Sequence, residues 1–456
     1  MQLQKKTTAR DMTQGSIVKQ LILFSLPLML GNVFQMLYNT VDSVVVGNFV
    51  GTQALAAVGS TTMIVNIMVF FFNGFSAGAS VVIARRFGAR DKDRLHTAIQ
   101  TTMAATFVLA VFFTVIGLIG VEPMLRFMAT PEDVFGEAAV YLRIYIAGFS
   151  GLVIYNMCSG ILRAVGDTTR PLYFLMLTSV LNILLDLFFV LGLHAGIAGV
   201  AYATIISQFV SAVLTLLLLT RTKDIYRLEW RGLSIDPQVL KEIVAVGLPA
   251  AIQSVITSFS NVFVQSYINA FGSQCMAGWS AYNKLDQFVL LPMQNLAMAA
   301  TTFVSQNIGA GQEKRADKGT VASVSLAVGV TGVIILLVCI FAAPAIALFT
   351  PDEAVIEFGV LFVRTNFVFL LFNCVNHVLA GALRGRGDST APMAIMLLTF
   401  VLLRQTYLFV VTRFVANIPM LVGFGYPVGW MACCVIEVSY YFIKWGGKKK
   451  PMLSEC

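Results

Sequence analysis

Twelve stretches of the chain are long and apolar enough to cross a bilayer as a helix, which takes roughly 20 residues. They lie near 17–41, 52–82, 96–120, 136–157, 169–191, 197–220, 241–267, 277–304, 319–342, 357–381, 392–413 and 420–444. Short polar connections separate them. The eighth is the least regular, because Lys284 and Asp286 fall inside it. The pattern predicts an all-α integral membrane protein with twelve transmembrane helices.

The charges in the connections give an orientation. One alternate set holds Lys5, Lys6, Arg10 and Lys19, then Arg85, Arg86, Arg90, Lys92 and Arg94, then Arg163 and Arg170. It continues through Arg221, Lys223, Arg227, Arg231 and Lys241, then Lys314, Arg315 and Lys318, Arg384 and Arg386, and finally Lys444 and Lys448 to Lys450. The opposite set holds only Arg126 and Arg413, and carries Glu122, Glu132, Asp133, Asp352 and Glu353 instead. Basic residues accumulate on the cytoplasmic side. Both termini are therefore expected in the cytoplasm, with an even number of spans and the plasma (inner) membrane as the location.

Composition agrees. Of the 456 residues 57% are hydrophobic and 12% charged, whereas a soluble domain carries roughly 25% charged residues. The net charge of +8 sits in loops, so it points to the inner membrane face and not to nucleic acid. The seven cysteines, Cys158, Cys275, Cys339, Cys374, Cys433, Cys434 and Cys456, form no C-x-x-C pair. They predict neither a disulfide framework nor a zinc site.

The sequence also repeats at a period of about 221 residues. Leu26-Pro27 recurs as Leu248-Pro249, Asn39 as Asn261, Phe87-Gly88-Ala89 as Ile308-Gly309-Ala310, and Thr130-Pro131 as Thr350-Pro351. Leu162-Arg163-Ala164-Val165-Gly166-Asp167-Thr168-Thr169-Arg170-Pro171 recurs as Leu383-Arg384-Gly385-Arg386-Gly387-Asp388-Ser389-Thr390-Ala391-Pro392. Six spans per half put both halves the same way up, as two six-helix lobes related by a pseudo-two-fold along the membrane normal. The expected division is an N-lobe at 1–220, a cytoplasmic linker at 221–240, a C-lobe at 241–444 and a cytoplasmic tail at 445–456. The paired Gly-Asp loops read as structure: glycine for positive φ, Asp or Thr to cap the next helix, and Pro in its first turn.

Ionisable residues inside spans are costly and mark function by default. Here they are Asp42, Asp186, Lys284, Asp286, Arg404 and Glu437, with His377 beside them. Gln35, Tyr38 or Asn39, and Asp42 recur at helical spacing and form one polar stripe. Asn182 and Asp186 share a face, as do Thr204 and Gln208. Three helices of the first half thus carry oxygen-rich patches that suit Na⁺ or a proton; the competing reading is interhelical hydrogen bonding. Pro27, fifteen residues before Asp42, removes a backbone hydrogen bond and can serve as a static kink or a hinge. Arg404 could pair with Asp286 or with Glu437. No phosphate-binding loop, H-E-x-x-H helix or serine elbow occurs, so the chain is not expected to be an enzyme, and its energy would come from an ion gradient.

The 6+6 repeat, the two Leu-Pro pairs, Asn-Thr-Val-Asp-Ser-Val-Val-Val-Gly at 39–47, Ala-Val-Gly at 57–59 and the Leu-Arg-x-x-Gly-Asp-[ST]-Thr loops at 162–169 and 383–390 together resemble the multidrug and toxic compound extrusion (MATE) family. The resemblance spans essentially the whole chain. It implies a secondary antiporter that exports amphipathic, mostly cationic compounds in exchange for Na⁺ or H⁺. One branch of the family uses acids in the seventh and tenth spans, where this chain has Gln253, Asn366, Asn373, Asn376 and His377. The DinF-like branch uses an Asp, an Asn–Asp pair and a Thr in spans one, five and six, which this sequence matches with Asp42, Asn182, Asp186 and Thr204. The resemblance makes these four the coupling site, and the metal ligands if the ion is Na⁺. It makes Pro27 a hinge, and Gln35, Tyr38, Asn39 and Asn156 lining residues of the substrate cavity. No cofactor is implied beyond the coupling ion. The expected partners are small organic cations and membrane lipid, with no nucleic acid, and the chain is expected to act as a monomer. The alternatives are a flippase of lipid-linked saccharides from the same superfamily, disfavoured by the scarcity of central cations (Arg404 and Lys284), and a channel or non-transporting membrane scaffold.

Overall fold

The computed structural model describes residues 9–445. Lys5, Lys6, Lys448 to Lys450, Cys456 and nearly all of the expected tail lie outside the described residues. Twelve spans account for almost everything else: α1 (Ile17–Val50), α2 (Thr52–Gly88), α3 (Lys92–Phe127), α4, α5 (Thr169–Gly192), α6 (Gly196–Arg221), α7 (Pro237–Asn269), α8 (Ser273–Gly309), α9 (Glu313–Ile340), α10 (Glu353–Gly385), α11 (Thr390–Val415) and α12 (Pro419–Trp445). α4 is the bent pair Glu132–Ala147 and Phe149–Ala164, turned by 46°. The bend falls at Gly148, where an added Cβ would lie 2.4 Å from the Cβ of Ile205. The backbone of α4 thus runs hard against α6 at this point, and only glycine leaves the room.

Several helices exceed the apolar runs that predict them. α2 and α8 have 37 residues each. At 1.5 Å per residue that is about 55 Å, well beyond a hydrocarbon core of about 30 Å. Their ends carry polar groups such as Arg85, Arg86 and Gln306, where hydropathy no longer marks a span. Of the two charges that interrupt α8, Lys284 is exposed and Asp286 half-buried, while the stretch beyond them, from Val289 on, is mostly buried in protein.

The chain divides into two compact units. The first runs to Ala251 and takes in Ser305–Arg315; the second holds Ile252–Val304 and the chain from Ala316 onward. In the first, an aromatic cluster of Phe71, Phe72, Phe113 and Phe149 ties α2, α3 and α4 together. In the second, Trp279, Tyr282, Phe362 and Phe367 do the same for α8 and α10. The connection from α6 to α7 is a packed strap on the first unit. Tyr226 and Leu228 are buried, the Asp236 N–H donates to Thr101 Oγ1 at 3.0 Å, and Asp236 Oδ1 caps α7 through the Gln238 and Val239 N–H groups. The segment before α1 is held as firmly. Met12 is buried, its N–H donates to Gln306 Oε1 at 2.9 Å, and Gln306 Nε2 donates to the Ala164 carbonyl at 2.8 Å.

The Gly-Asp loops match the structural reading. Gly166 and Gly387 both have φ of +83°. Asp167 Oδ1 accepts from the Thr169 and Arg170 N–H groups, and Asp388 Oδ1 from that of Ala391. Burial opposes the charge on Asp388, but hydrogen bonds from Lys444 Nζ and Tyr440 Oη outweigh it and hold the carboxyl below the usual carboxylate range. A depressed carboxylate stabilises the fold at neutral pH and loses that contribution as pH falls through its own value. The protection factors of residues 386–391, taken relative to the intrinsic exchange rate at each pH, are therefore expected to fall on acidification, and Asp388→Asn is expected to abolish that pH dependence of protection.

Candidate functional site

α5 packs against both α1 and α6, and all three helices of the first unit carry polar side chains. Asp42 sits in the last α-helical turn of α1, just before the π turn Val46–Val50. Asp186 sits at the corresponding place in α5, just before the π turn Phe188–Gly192. Wide turns of this kind recur near functional sites because they re-aim side chains. The Asp42 and Asp186 carboxyls lie within hydrogen-bond reach of each other. Among the described residues, no N–H or hydroxyl serves Asp42 Oδ1 or either oxygen of Asp186. Nor does any described lysine or arginine contribute to the field at either carboxyl.

Two carboxylates in contact repel strongly in a medium of low dielectric. Without a basic side chain, the pair must share a proton or a metal cation. Asn182, one turn before Asp186, is buried, with both polar side-chain atoms unpartnered. On α6, Ser207 Oγ and Gln208 Oε1 are also buried and unpartnered. Thr204 Oγ1 donates its proton to the Val200 carbonyl at 3.0 Å, which leaves its lone pairs open. Among the described residues there is no group of three or more His, Cys, Asp or Glu that could hold a metal. The donors here are carboxyl, amide and hydroxyl oxygens, which suit a hard monovalent cation or a proton and not a transition metal.

The other expected residues separate. Gln35 reaches the Tyr38 hydroxyl, and Tyr38 stands near Asp42. Asn39 is exposed on the same helix. Asn156 lies in the second part of α4, its carbonyl accepting from Ser76 Oγ at 3.2 Å, and no interaction joins its side chain to the acid pair. α1 runs unbroken through Pro27. The sequence reading missed Tyr141 and Tyr145. They are buried on α4 with rings 6.1 Å apart. Tyr141 lies close enough to both carboxyls to feel their charge, and Tyr145 approaches Gln208. Their spacing of four in a membrane helix was the available signal.

In the second unit the expected ion pairs do not form. Arg404 contacts neither Asp286 nor Glu437 as an ion pair; it donates to Ser260 Oγ and to Asn261 Oδ1. Lys284 lies over the Phe349 ring at 5.1 Å. Glu437 and His377 are both neighbours of Arg384. The helical faces, not the sequence spacing, decide these pairings: Arg404 points at α7 and Glu437 at α10.

The MatE family pattern matches residues 27–188 and again 249–409. This chain belongs to the MATE family. The second matched segment begins and ends at nearly the offset that the repeat motifs give, so MATE is itself the repeating unit. The chain is a multi-pass membrane transporter. The probable multidrug resistance proteins YoeA and YpnP of Bacillus subtilis are each 29% identical to it, over 98% and 97% of this chain and 98% of each relative. A MOP-superfamily transporter from Pyrococcus furiosus shares the fold with a TM-score of 0.91 and 25% identity, covering 98% of this chain and all of that one. MATE structures in straight and in bent conformations, each 24% identical, superpose with TM-scores of 0.91.

Proposed function

We propose that this MATE protein is a secondary antiporter of the cell membrane, with cytoplasmic termini, that exports amphipathic, mostly cationic compounds in exchange for Na⁺ or H⁺. The observation that carries the reading is the contact of Asp42 with Asp186, two carboxyls from different helices with no basic partner. Such a pair holds α1 against α5 only while a positive charge lies between them. Its occupancy therefore sets the position of α1. The cluster Asp42, Asn182, Asp186 and Thr204 takes the ion, as in the DinF-like branch. Pro27 leaves α1 one backbone hydrogen bond short, so ion loading bends the helix there. The stripe of Gln35, Tyr38 and Asn39 on α1, with Asn156 on α4, contacts the cargo and releases it on that bend. The names of the Bacillus relatives, probable multidrug resistance proteins, support drugs as the cargo.

The test is efflux of a fluorescent organic cation from proteoliposomes under separately imposed Na⁺ and pH gradients. Efflux is expected to depend on one of the two gradients and to stop when it is dissipated. Efflux indifferent to both would refute antiport.

A further inference from the structure

The two halves of the repeat differ in buried charge: the acids of the first half have apolar counterparts in the second, and the buried cation of the second has a neutral counterpart in the first. In the first half, Asp42 comes three residues after Asn39 on α1. In the second, Val264 comes three after Asn261 on α7, and Val264 is buried and apolar. On α5 the buried residues from Thr178 onward are Thr178 and Ser179, then Asn182, Asp186 and Val190. On α11 the buried residues include Thr399 and Phe400, then Arg404 and Leu408. Thr178 and Thr399 correspond, each eleven residues after the Asp of its loop, yet Asn182 is four residues further and Arg404 is five. The π segment Leu397–Leu403 absorbs the difference. A π turn admits one extra residue and rotates the helix beyond it. Arg404 thereby takes the inward place that Asn182 holds on α5, and Leu408 that of Asp186.

Arg404 is 2% exposed. Its Nη2 donates to Ser260 Oγ and, at 3.0 Å, to Asn261 Oδ1, both on α7. Ser260 Oγ donates in turn to the Phe400 carbonyl, at 2.8 Å, inside the π segment. The guanidinium carbon lies 4.6 Å from the Tyr426 ring of α12. The neighbouring Gln405 Nε2 also donates to Ser260, at 3.2 Å to its hydroxyl oxygen. One buried charge therefore joins α7, α11 and α12 through polar and aromatic contacts. Among the described residues no carboxylate forms an ion pair with it, so the charge is not cancelled by an acid.

We propose that Arg404 is a tethered cation: it does permanently for α7 and α11 what a mobile cation does for α1 and α5. The second half then needs no ion to keep its helices together, and the ion response is confined to the first half. Arg404 acts as a positioning residue, through Ser260 and Asn261, and touches neither ion nor cargo. The inference rests on the antiport reading for the role of the Asp42–Asp186 pair.

Hydrogen exchange on the full-length protein in lipid nanodiscs tests it, with Na⁺ added or withheld and at acidic and mildly alkaline pH. In the wild type, peptides covering 36–46 of α1 are expected to change protection with ion occupancy, and peptides covering 257–267 of α7 are expected not to. Arg404→Met keeps the length of the side chain and removes its charge; it is expected to raise exchange in 257–267 by about tenfold, in line with lost hydrogen bonds from a charged donor. Arg404→Lys is expected to retain most of the protection. A Met variant that fails to fold where the Lys variant folds reads the same way. Equal protection in the Met and Lys variants would overturn the proposal, as would an ion response of α7 in the wild type matching that of α1. Failure of α1 to respond would instead count against the antiport reading, while the contrast between Lys and Met on α7 would still decide what the charge of Arg404 does.

Discussion

Asp42→Asn is expected to reduce gradient-driven efflux to passive leak, a loss of about a hundredfold or more, in a protein that still inserts and folds. The amide has the shape of the carboxyl and no charge. Facing Asp186, it can donate a hydrogen bond to that carboxylate and satisfy it without any ion. The pair then holds together at every ion concentration. A ligand shifts a conformational equilibrium only by the difference in its affinity for the two states. With that difference removed, the gradient has nothing to act on. Reconstituted efflux measures the loss, and thermal unfolding in detergent is expected to show stability equal to or slightly above that of the wild type. The combination distinguishes a lost ion site from a broken fold.

Gly309→Leu is expected to have the largest effect on the fold itself. A Cβ on Gly309 would lie 1.8 Å from the Arg85 carbonyl oxygen and 2.7 Å from its carbon. Reciprocally, a Cβ on Gly88 would lie 1.9 Å from the Gln306 carbonyl oxygen. The ends of α2 and α8 therefore cross backbone to backbone, glycine against helix on both sides. The obstructing atoms are main chain, so relief requires the helices to part. That also pulls Gln306 away from Met12 and Ala164, whose backbone groups it satisfies. A cost of about 3 kcal/mol or more is expected, the range of severe core overpacking combined with lost buried hydrogen bonds. Thermal unfolding monitored by size-exclusion fluorescence checks it. Gly329→Ala on α9 is the control: nothing lies within 4 Å of its added Cβ, and it is expected to be neutral or to stabilise by up to about 1 kcal/mol.

Gly88 and Gly309 stand out in the sequence as partners in the repeat, because identical short motifs recur at one offset. That they meet each other is a matter of helix crossing, which no local pattern encodes. The twelve spans are legible because apolar runs have few alternatives in a bilayer. The bend at Gly148 is not, since an isolated glycine in an apolar stretch looks like any other; its reason is Ile205 on another helix. Asp42, Asn182 and Asp186 are legible as intramembrane polar groups at helical spacing. Their meeting depends on α5 packing against α1. The partner of Arg404 is illegible for the opposite reason: the π segment rotates α11 by one residue, so a reading at ordinary helical spacing aims the side chain the wrong way. Tyr141 and Tyr145 escape notice because tyrosines in a membrane helix read as interface anchors until the carboxyls beside them are seen.

The central claim is that Asp42 and Asp186 share one exchangeable positive charge. Infrared difference spectroscopy of the wild type minus Asp186→Asn, taken across a pH titration with and without Na⁺, tests it most directly. The expected result is a protonated-carboxyl band from the pair that disappears when the pH rises or when Na⁺ is added, and that Asp42→Asn also lacks. A difference spectrum without any carboxyl signal that responds to pH or to Na⁺ would contradict it.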